Sequence, residues 1–330
     1  MKLCFVVHRY APFPGGSEYY VQWMAEECVR RGHEVTVFTG QHAGDLNGVR
    51  VTSDGIIFNE PFDLIIVHGG DVHVQNVVLS AIPRLSTPFL YLIIKPSDSP
   101  VCQLAMNYAA AIGCSTFEDW AHVDKYQAQA RAHSVRHGID PTKRKGQMGA
   151  FRSKYGIPAN TRLFLSCGGY WPNKRMIELA QTFERANLDR ALLVTTGYDN
   201  SMNLMPSPSP HVLPLILEHE SDVANAIADA DVYIMNSSEE GFGLVLLECL
   251  LNKTPWIARN IAGARILREF GLIYDTESQL EEYLRTNLML GDVPNHEQLE
   301  RGYAYVQQYH LIQHTVDDIL AVVTNLKKTK

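Results

Sequence analysis

No apolar run in this 330-residue chain approaches the roughly 18 residues that a membrane-spanning helix needs. Cysteine is sparse and scattered: Cys4, Cys28, Cys102, Cys114, Cys167 and Cys249 form no CxxC pair, and several lie inside apolar runs. They read as reduced core thiols, which sets aside a disulfide framework or a cysteine metal site. An excess of basic charge is missing as well. The chain has 29 Lys and Arg against 36 Asp and Glu, a formal charge of −7, and binding bulk nucleic acid requires phosphate-neutralising side chains in excess. Short repeats and low-complexity tracts are absent. The apolar part of the opening MKLCFVVHRY is too short for a signal peptide and runs straight into a glycine-rich turn, so the expected location is cytoplasmic.

What remains is an ordinary globular composition, 46% hydrophobic and 20% charged, in a chain long enough for two cores. Leu3 to Val7 reads as a buried strand, Ala11 to Gly16 as a Gly/Pro-rich turn, Ser17 to Arg31 as a helix and Glu34 to Thr39 as a second strand. Strand, glycine turn, helix, strand is the order that makes a parallel sheet with a right-handed crossover. Asp63–Val67 and Phe89–Ile94 are continuous apolar runs, as expected of strands covered on both faces. The grammar restarts at Arg162–Cys167, with a turn at Gly168 and Gly169, a helix from Arg175 to Ala186 and strands at Ala191–Thr195, Asp231–Met235 and Pro255–Ala258. The predicted fold class is α/β with two doubly wound domains, 1–148 and 149–309, followed by a C-terminal helix in 310–330 that returns toward the first.

Charge is uneven between Ala130 and Tyr155. Arg131, Arg136, Lys143, Arg144, Lys145, Arg152 and Lys154 face the single acid Asp140, a local charge of +6. This segment, 131–154, reads either as a solvated linker or as a face for peripheral contact with a membrane or polyphosphate.

The most informative string is NSSEEGFGLVLLECL, Asn236 to Leu250. A strand ends at Met235, Gly241 and Gly243 let a ligand approach the main chain, and a helix follows whose free N–H groups favour a phosphate or a sugar oxygen. Glu240 precedes that helix and Glu248 lies inside it among Leu244 to Leu251, where a freely solvated glutamate is disfavoured.

This E-x7-E spacing around G-F-G resembles the donor-site signature of the retaining glycosyltransferases of family four, which have the GT-B fold of two Rossmann-like domains facing a cleft. ADADVYIMNSSEEGFG is similar to that family's strand-into-loop run, with Asn236 where Pro is commoner. NKTPWIARNIAGA is similar to its "GTPV…GG" stretch, with Gly263 kept. FLSCGGYWPNKR resembles the "GRxxPEKG" diphosphate loop, in which Lys174 matches the family's lysine and Gly169 stands where arginine is usual. Arg175, or Arg259 from the next loop, is a candidate substitute. PGGSEYY resembles the first glycine loop, and FDLIIVHGG matches a D-x4-H strand end that closes on His68, while Lys95 in YLIIKPSD replaces a usual histidine. CSTFEDW and RHGID resemble elements near the family's linker.

The resemblance implies Glu240 and Lys174 as catalytic residues. It implies a donor site of Glu248, Phe242, Gly243, Gly241, Gly16, Gly15, Gly168, Gly169 and Arg175, and an acceptor side of His68, Lys95 and Glu18. A nucleotide diphosphate sugar, UDP- or GDP-linked, serves as co-substrate with no further cofactor, and the acceptor is a glycan, lipid or small molecule. Two alternatives stay open: a nucleotide-sugar binding protein impaired in transfer, or a GT-B sugar-nucleotide epimerase. His68, Asp71 and His73 form H-x2-D-x-H, but no further cluster completes four ligands and no metal site is assigned.

Overall fold

The computed structural model describes residues 1–40, 42–68, 87–198, 201–217, 219–286 and 295–328. The chain divides into two units, Met1–Gly138 with His310–Lys330, and Ile139–Tyr309.

The first unit has eight described strands, apolar and buried at the centre of the sheet and short and partly exposed at its two ends. They are β1 (Lys2–Val6), β2 (Glu34–Phe38), β3 (Gly44–Leu46), β4 (Val49–Thr52), β5 (Leu64–His68), β6 (Phe89–Leu92), β7 (Ala111–Cys114) and β8 (Ala132–Ser134). They lie side by side in the order β3-β4-β2-β1-β5-β6-β7-β8. Among the described strands of this sheet only β3 and β4 pair antiparallel; β1 runs parallel to β2 with Cys4 beside Thr36, and to β5 with Cys4 beside Ile65. Cys4, Val6, Ile65, Val67, Phe89 and Tyr91 belong to the core of one face. The helix Gly16–Arg30 buries Tyr20, Val21, Trp23, Met24 and Cys28. The C-terminal helix Ile312–Lys328 packs on it through Val316, Ile319 and Val323 and is pinned by Arg31 to Asp317 and Arg136 to Asp318, each at 2.6 Å.

The second unit repeats the plan with β9 (Arg162–Cys167), β10 (Ala191–Gly197), β11 (Val212–Ile216), β12 (Val232–Met235), β13 (Trp256–Arg259) and β14 (Leu272–Tyr274). The order is β11-β10-β9-β12-β13-β14, and every pair is parallel. Phe164, Phe183, Leu193, Ile234, Ile257 and Leu280 share its core. Both sheets are therefore doubly wound, and in each the direction of winding reverses at a defined strand pair: β1 and β5 in the first, β9 and β12 in the second.

Two expectations need correction. The boundary falls at Gly138/Ile139 and not after Met148, because the stretch between them is built into the second unit. Gly146 N–H donates to Asn252 Oδ1 at 2.9 Å, Gln147 N–H donates to Asn225 Oδ1 at 2.8 Å, and a Cβ on Gly146 would lie 2.0 Å from the Ala224 carbonyl oxygen. Nor does segment 131–154 present a free basic face. Arg131 donates to the carbonyls of Met106 and Ala109, Lys145 donates to that of Leu251, Arg152 pairs with Asp231 and Lys154 with Asp222. Among the described residues no helix is long and apolar enough to cross a membrane.

Candidate functional site

Open parallel sheets bind ligands outside the carboxyl ends of their strands, where the winding reverses. In the second unit this is the crevice beyond the ends of β9 and β12. β9 leads into Gly168 to Arg175, and β12 into Asn236 to Gly243. Gly168 has φ +151°, and a Cβ there would lie 3.2 Å from Lys174 Cε, so the glycine lets the lysine side chain lie across the turn. Gly169 has a different reason to be small: a Cβ would sit 2.1 Å from Trp171 Nε1. An arginine at 169 is incompatible with the indole in that place, which is the physical counterpart of the sequence departure.

The two loops are fastened to each other along their length. Asn236 Nδ2 donates to the Arg175 carbonyl at 3.0 Å, Ser238 N–H to the Asn173 carbonyl at 2.8 Å, and Asn173 Nδ2 to the Glu239 carbonyl at 3.2 Å. Beside them Lys174 Nζ and Glu240 Oε1 form an ion pair, with side chains 21% and 15% exposed. Burial lowers the Lys174 pKa, and the Glu240 carboxylate outweighs it, so the ammonium is held above its ordinary range. This charged pair stands at the mouth of the crevice.

Gly243, at φ +82°, caps the helix Leu244–Asn252, and the Leu246 N–H returns to the Gly243 carbonyl at 2.9 Å. Gly241 is half-buried and Phe242 buried. A Cβ on Gly263 would lie 1.6 Å from the Phe242 carbonyl oxygen, so that glycine sets how closely the two loops approach. Glu248 lies further along the helix and is 6% exposed, with Arg144 Nε 3.3 Å from its Oε1.

Arg175 does not turn its guanidinium toward Lys174 and Glu240. Its Nη2 meets Glu277 Oε1 at 2.5 Å, as does Arg259 Nη2. Asn236 Oδ1 accepts from Tyr274 OH at 2.7 Å and from Arg259 Nη2 at 3.3 Å. Asn173, Tyr274 and Glu277 are thus neighbours of the candidate residues that the sequence did not single out, and Asn236, noted there only as a departure from Pro, joins them. The available signal was Asn236, a polar residue directly after the apolar strand VYIM, and 1% exposed.

In the first unit the corresponding crevice lies beyond β1 and β5. Glu18, 3% exposed in the first turn of its helix, accepts from Arg9 Nε at 2.8 Å and lies 3.3 Å from His8 Nε2. Its carboxylate folds back over the turn, so that a Cβ on Gly15 would meet Oε2 at 2.2 Å; beside Gly16 there is open space. His68 ends β5 and is 3% exposed, against the Tyr20 ring at 5.2 Å. Burial, with smaller contributions from His137 and His8, lowers its pKa to about 3, so the imidazole is neutral. Lys95 is exposed in the loop after β6. Asp71 and His73 lie outside the described residues, among which no group of three or more His, Cys, Asp or Glu is placed to hold a metal ion.

Residues 161–288 match the family model described as Glycosyl transferases group 1. The N-acetyl-alpha-D-glucosaminyl L-malate synthase of Bacillus anthracis is 27% identical over 124 residues, 36% of this chain and 32% of that protein, so the match spans about a third of the curated relative's length. Among solved structures, a sucrose-phosphate synthase from Thermosynechococcus elongatus superposes with a TM-score of 0.80 at 14% identity, covering 100% of both chains. Anabaena HepE, in complex with UDP and glucose, gives 0.78 at 16% identity, covering 98% of this chain and 100% of that one. These likenesses, with the two doubly wound parallel sheets, show the GT-B fold.

Proposed function

We propose that this chain is a glycosyltransferase of the retaining, family-four type that moves a sugar from a UDP- or GDP-linked donor to a hydroxyl acceptor. The observation that carries the reading is the Lys174–Glu240 ion pair, placed where the winding of the second sheet reverses and flanked by a glycine turn and a glycine-capped helix start. The family match over residues 161–288 supports it.

In this reading Glu248 accepts the two ribose hydroxyls, since one carboxylate can take two donors in a fork. Glu240, with the amides of Phe242 and Gly243, holds the sugar hydroxyls and steadies the positive charge that develops at the anomeric carbon. The bond from that carbon to the diphosphate breaks, and Lys174 stabilises the departing oxygen. Its ammonium has three donors, so it can serve phosphate and Glu240 together. The acceptor oxygen bonds to the carbon on the same face and its proton passes to the leaving phosphate oxygen, which retains the configuration. Lys174 and the helix amides supply the electrostatic role here, and no metal or further cofactor is assigned. Glu18, His68 and Lys95 are the acceptor-side residues.

Release of sugar from UDP-glucose and GDP-mannose, measured beside binding of UDP and GDP, tests the reading. Glu248→Ala should weaken nucleoside diphosphate binding by about 10-fold, the loss of a bidentate charged contact, whereas Glu240→Ala should chiefly lower turnover. Wild-type behaviour of both variants refutes the assignment. The displacement of arginine by Trp171 over Gly169 favours a second reading, nucleotide-sugar binding without transfer; tight UDP or GDP binding with no sugar release from either donor selects it.

A further inference from the structure

Arg144 lies in the stretch expected to be linker, yet it is 4% exposed. Its backbone is fastened to the helix that carries Glu248: Asn252 Nδ2 donates to the Arg144 carbonyl at 2.8 Å, and Lys145 Nζ donates to the Leu251 carbonyl at 2.7 Å. From this anchorage the guanidinium reaches two carboxylates. Nε stands 3.3 Å from Glu248 Oε1, and Nη2 stands 3.4 Å from Glu220 Oε1, at the first residue of the helix Glu220–Asp229. Among the described residues, the other titratable groups that act on this pocket are Cys167 at the end of β9, which also feels Lys174, Cys249 on the same helix as Glu248, and Tyr233 of β12, which bonds Cys167. Burial drives both thiols and the phenol up, Cys167 to about 12, so all three are neutral. The charge that acts on Glu248 is that of Arg144, with Glu220 behind it.

We propose that Arg144 is a positioning residue for the donor: it holds the Glu248 carboxylate ionised and oriented to accept the ribose diol, while Glu220 secures the far side of the guanidinium. This rests on the reading of Glu248 as the nucleoside carboxylate. The chemistry is simple. An ionised carboxylate offers acceptors to both hydroxyls of a vicinal diol, and a protonated one turns one of those oxygens into a donor. Burial pushes Glu248 toward the protonated form, and Arg144 is the influence that opposes it. Take the arginine away and Glu248 titrates closer to neutrality, so diol binding weakens at low pH and recovers as the pH rises.

The test is calorimetric binding of UDP or GDP, whichever the wild type binds more tightly, between about pH 6 and about pH 9, the span across which buried carboxylates have been found to titrate. Wild type should be nearly flat. Arg144→Met should bind about 10-fold more weakly at the acid end, equivalent to roughly one pK unit of lost ionisation, and approach wild type at the alkaline end. Arg144→Lys, which keeps the charge, should restore most of the acid-end affinity. Glu248→Gln should be weak and flat throughout. An Arg144→Met profile that is unchanged, or lowered by one factor at every pH, overturns the proposal. Glu248→Gln binding like wild type instead overturns the reading of Glu248, a distinct outcome.

Arg144→Met strands a buried carboxylate and can fail to fold, so the neutral pair Arg144→Met with Glu248→Gln provides a second route. If the arginine acts through the glutamate, the double variant binds within about 2-fold of Glu248→Gln alone, the additivity error of such cycles. A further loss in the double variant overturns the proposal.

Discussion

The two units place a crevice at the same topological position and furnish it with opposite chemistry. Beyond β9 and β12 stands a mostly buried ion pair, Lys174 with Glu240, between loops bonded along their length. Beyond β1 and β5 the acid Glu18 is 3% exposed and tied to Arg9 and His8, and the imidazole of His68 is buried and neutral. Doubly wound topology decides where a ligand can sit. What it can do there is decided by a few side chains and by whether their charge is available to solvent and substrate.

The contrast is broken most directly at Glu240. Glu240→Gln keeps the size of the side chain but removes the negative charge that the proposed function assigns to steadying the anomeric carbon. Turnover should fall by about 10²- to 10³-fold, the range for losing one preorganised electrostatic partner, with nucleoside diphosphate affinity within about 3-fold of wild type, since uniform binding and transition-state binding separate in this way. A loss confined to binding would transfer the chemistry away from this crevice. The next effect is structural. Gly263→Ala drives a methyl toward the Phe242 carbonyl, 1.6 Å from its oxygen, and should cost about 3 kcal/mol of second-unit stability, at the upper end for overpacking. Thermal unfolding followed by calorimetry should lower one transition and leave the first unit's transition in place.

The sequence could bring these residues forward as candidates because their signal is local. Glu240, Glu248, Lys174 and the flanking glycines lie within two short strings whose strand-turn-helix grammar is visible in composition, and β9 occupies Arg162–Cys167, the span that its apolar run marks. Other elements escaped because their signal depends on partners distant in sequence. β7 is AIGC and β14 is LIY, too short for any period, and each is a strand because a neighbour supplies its ladder. Glu277 opens an exposed-looking helix, and its meeting with Arg175 and Arg259 arises from the packing of Glu277–Arg285 against Met176–Ala186. The basic segment misled for the same reason: Arg136 and Asp318, like Arg152 and Asp231, are adjacent only after folding.

The pH response should also separate the units, in opposite directions. His68 and His137 are each lowered from 6.5 to about 3 in the folded protein, chiefly by burial. The unfolded chain therefore binds more protons below about pH 6.5, and their contribution, complete above that value, is lost as the pH falls toward 3, by up to about 1.4 kcal/mol per pH unit for each imidazole. Glu248 is raised by burial despite Arg144, so its cost grows as the pH rises through and above 4.5. Denaturation across this range should show the first unit losing stability toward acid, and His68→Phe should flatten that slope; an unchanged slope would place the acid sensitivity elsewhere.

The smallest expected effect concerns the segment 131–154. Lys154, 48% exposed, pairs with Asp222 at 2.8 Å, and an exposed pair of this kind contributes little because water and salt screen it. Lys154→Gln should accordingly leave the unfolding midpoint almost unmoved. Its second readout is sedimentation with anionic vesicles. Were the segment a membrane-facing patch, removing one lysine would weaken vesicle binding by about 5-fold. With Arg131, Arg136, Lys145 and Arg152 already engaged by carbonyls and carboxylates of the same unit, wild type and variant should sediment alike. A measurable difference would mean that these internal pairs open at a charged surface.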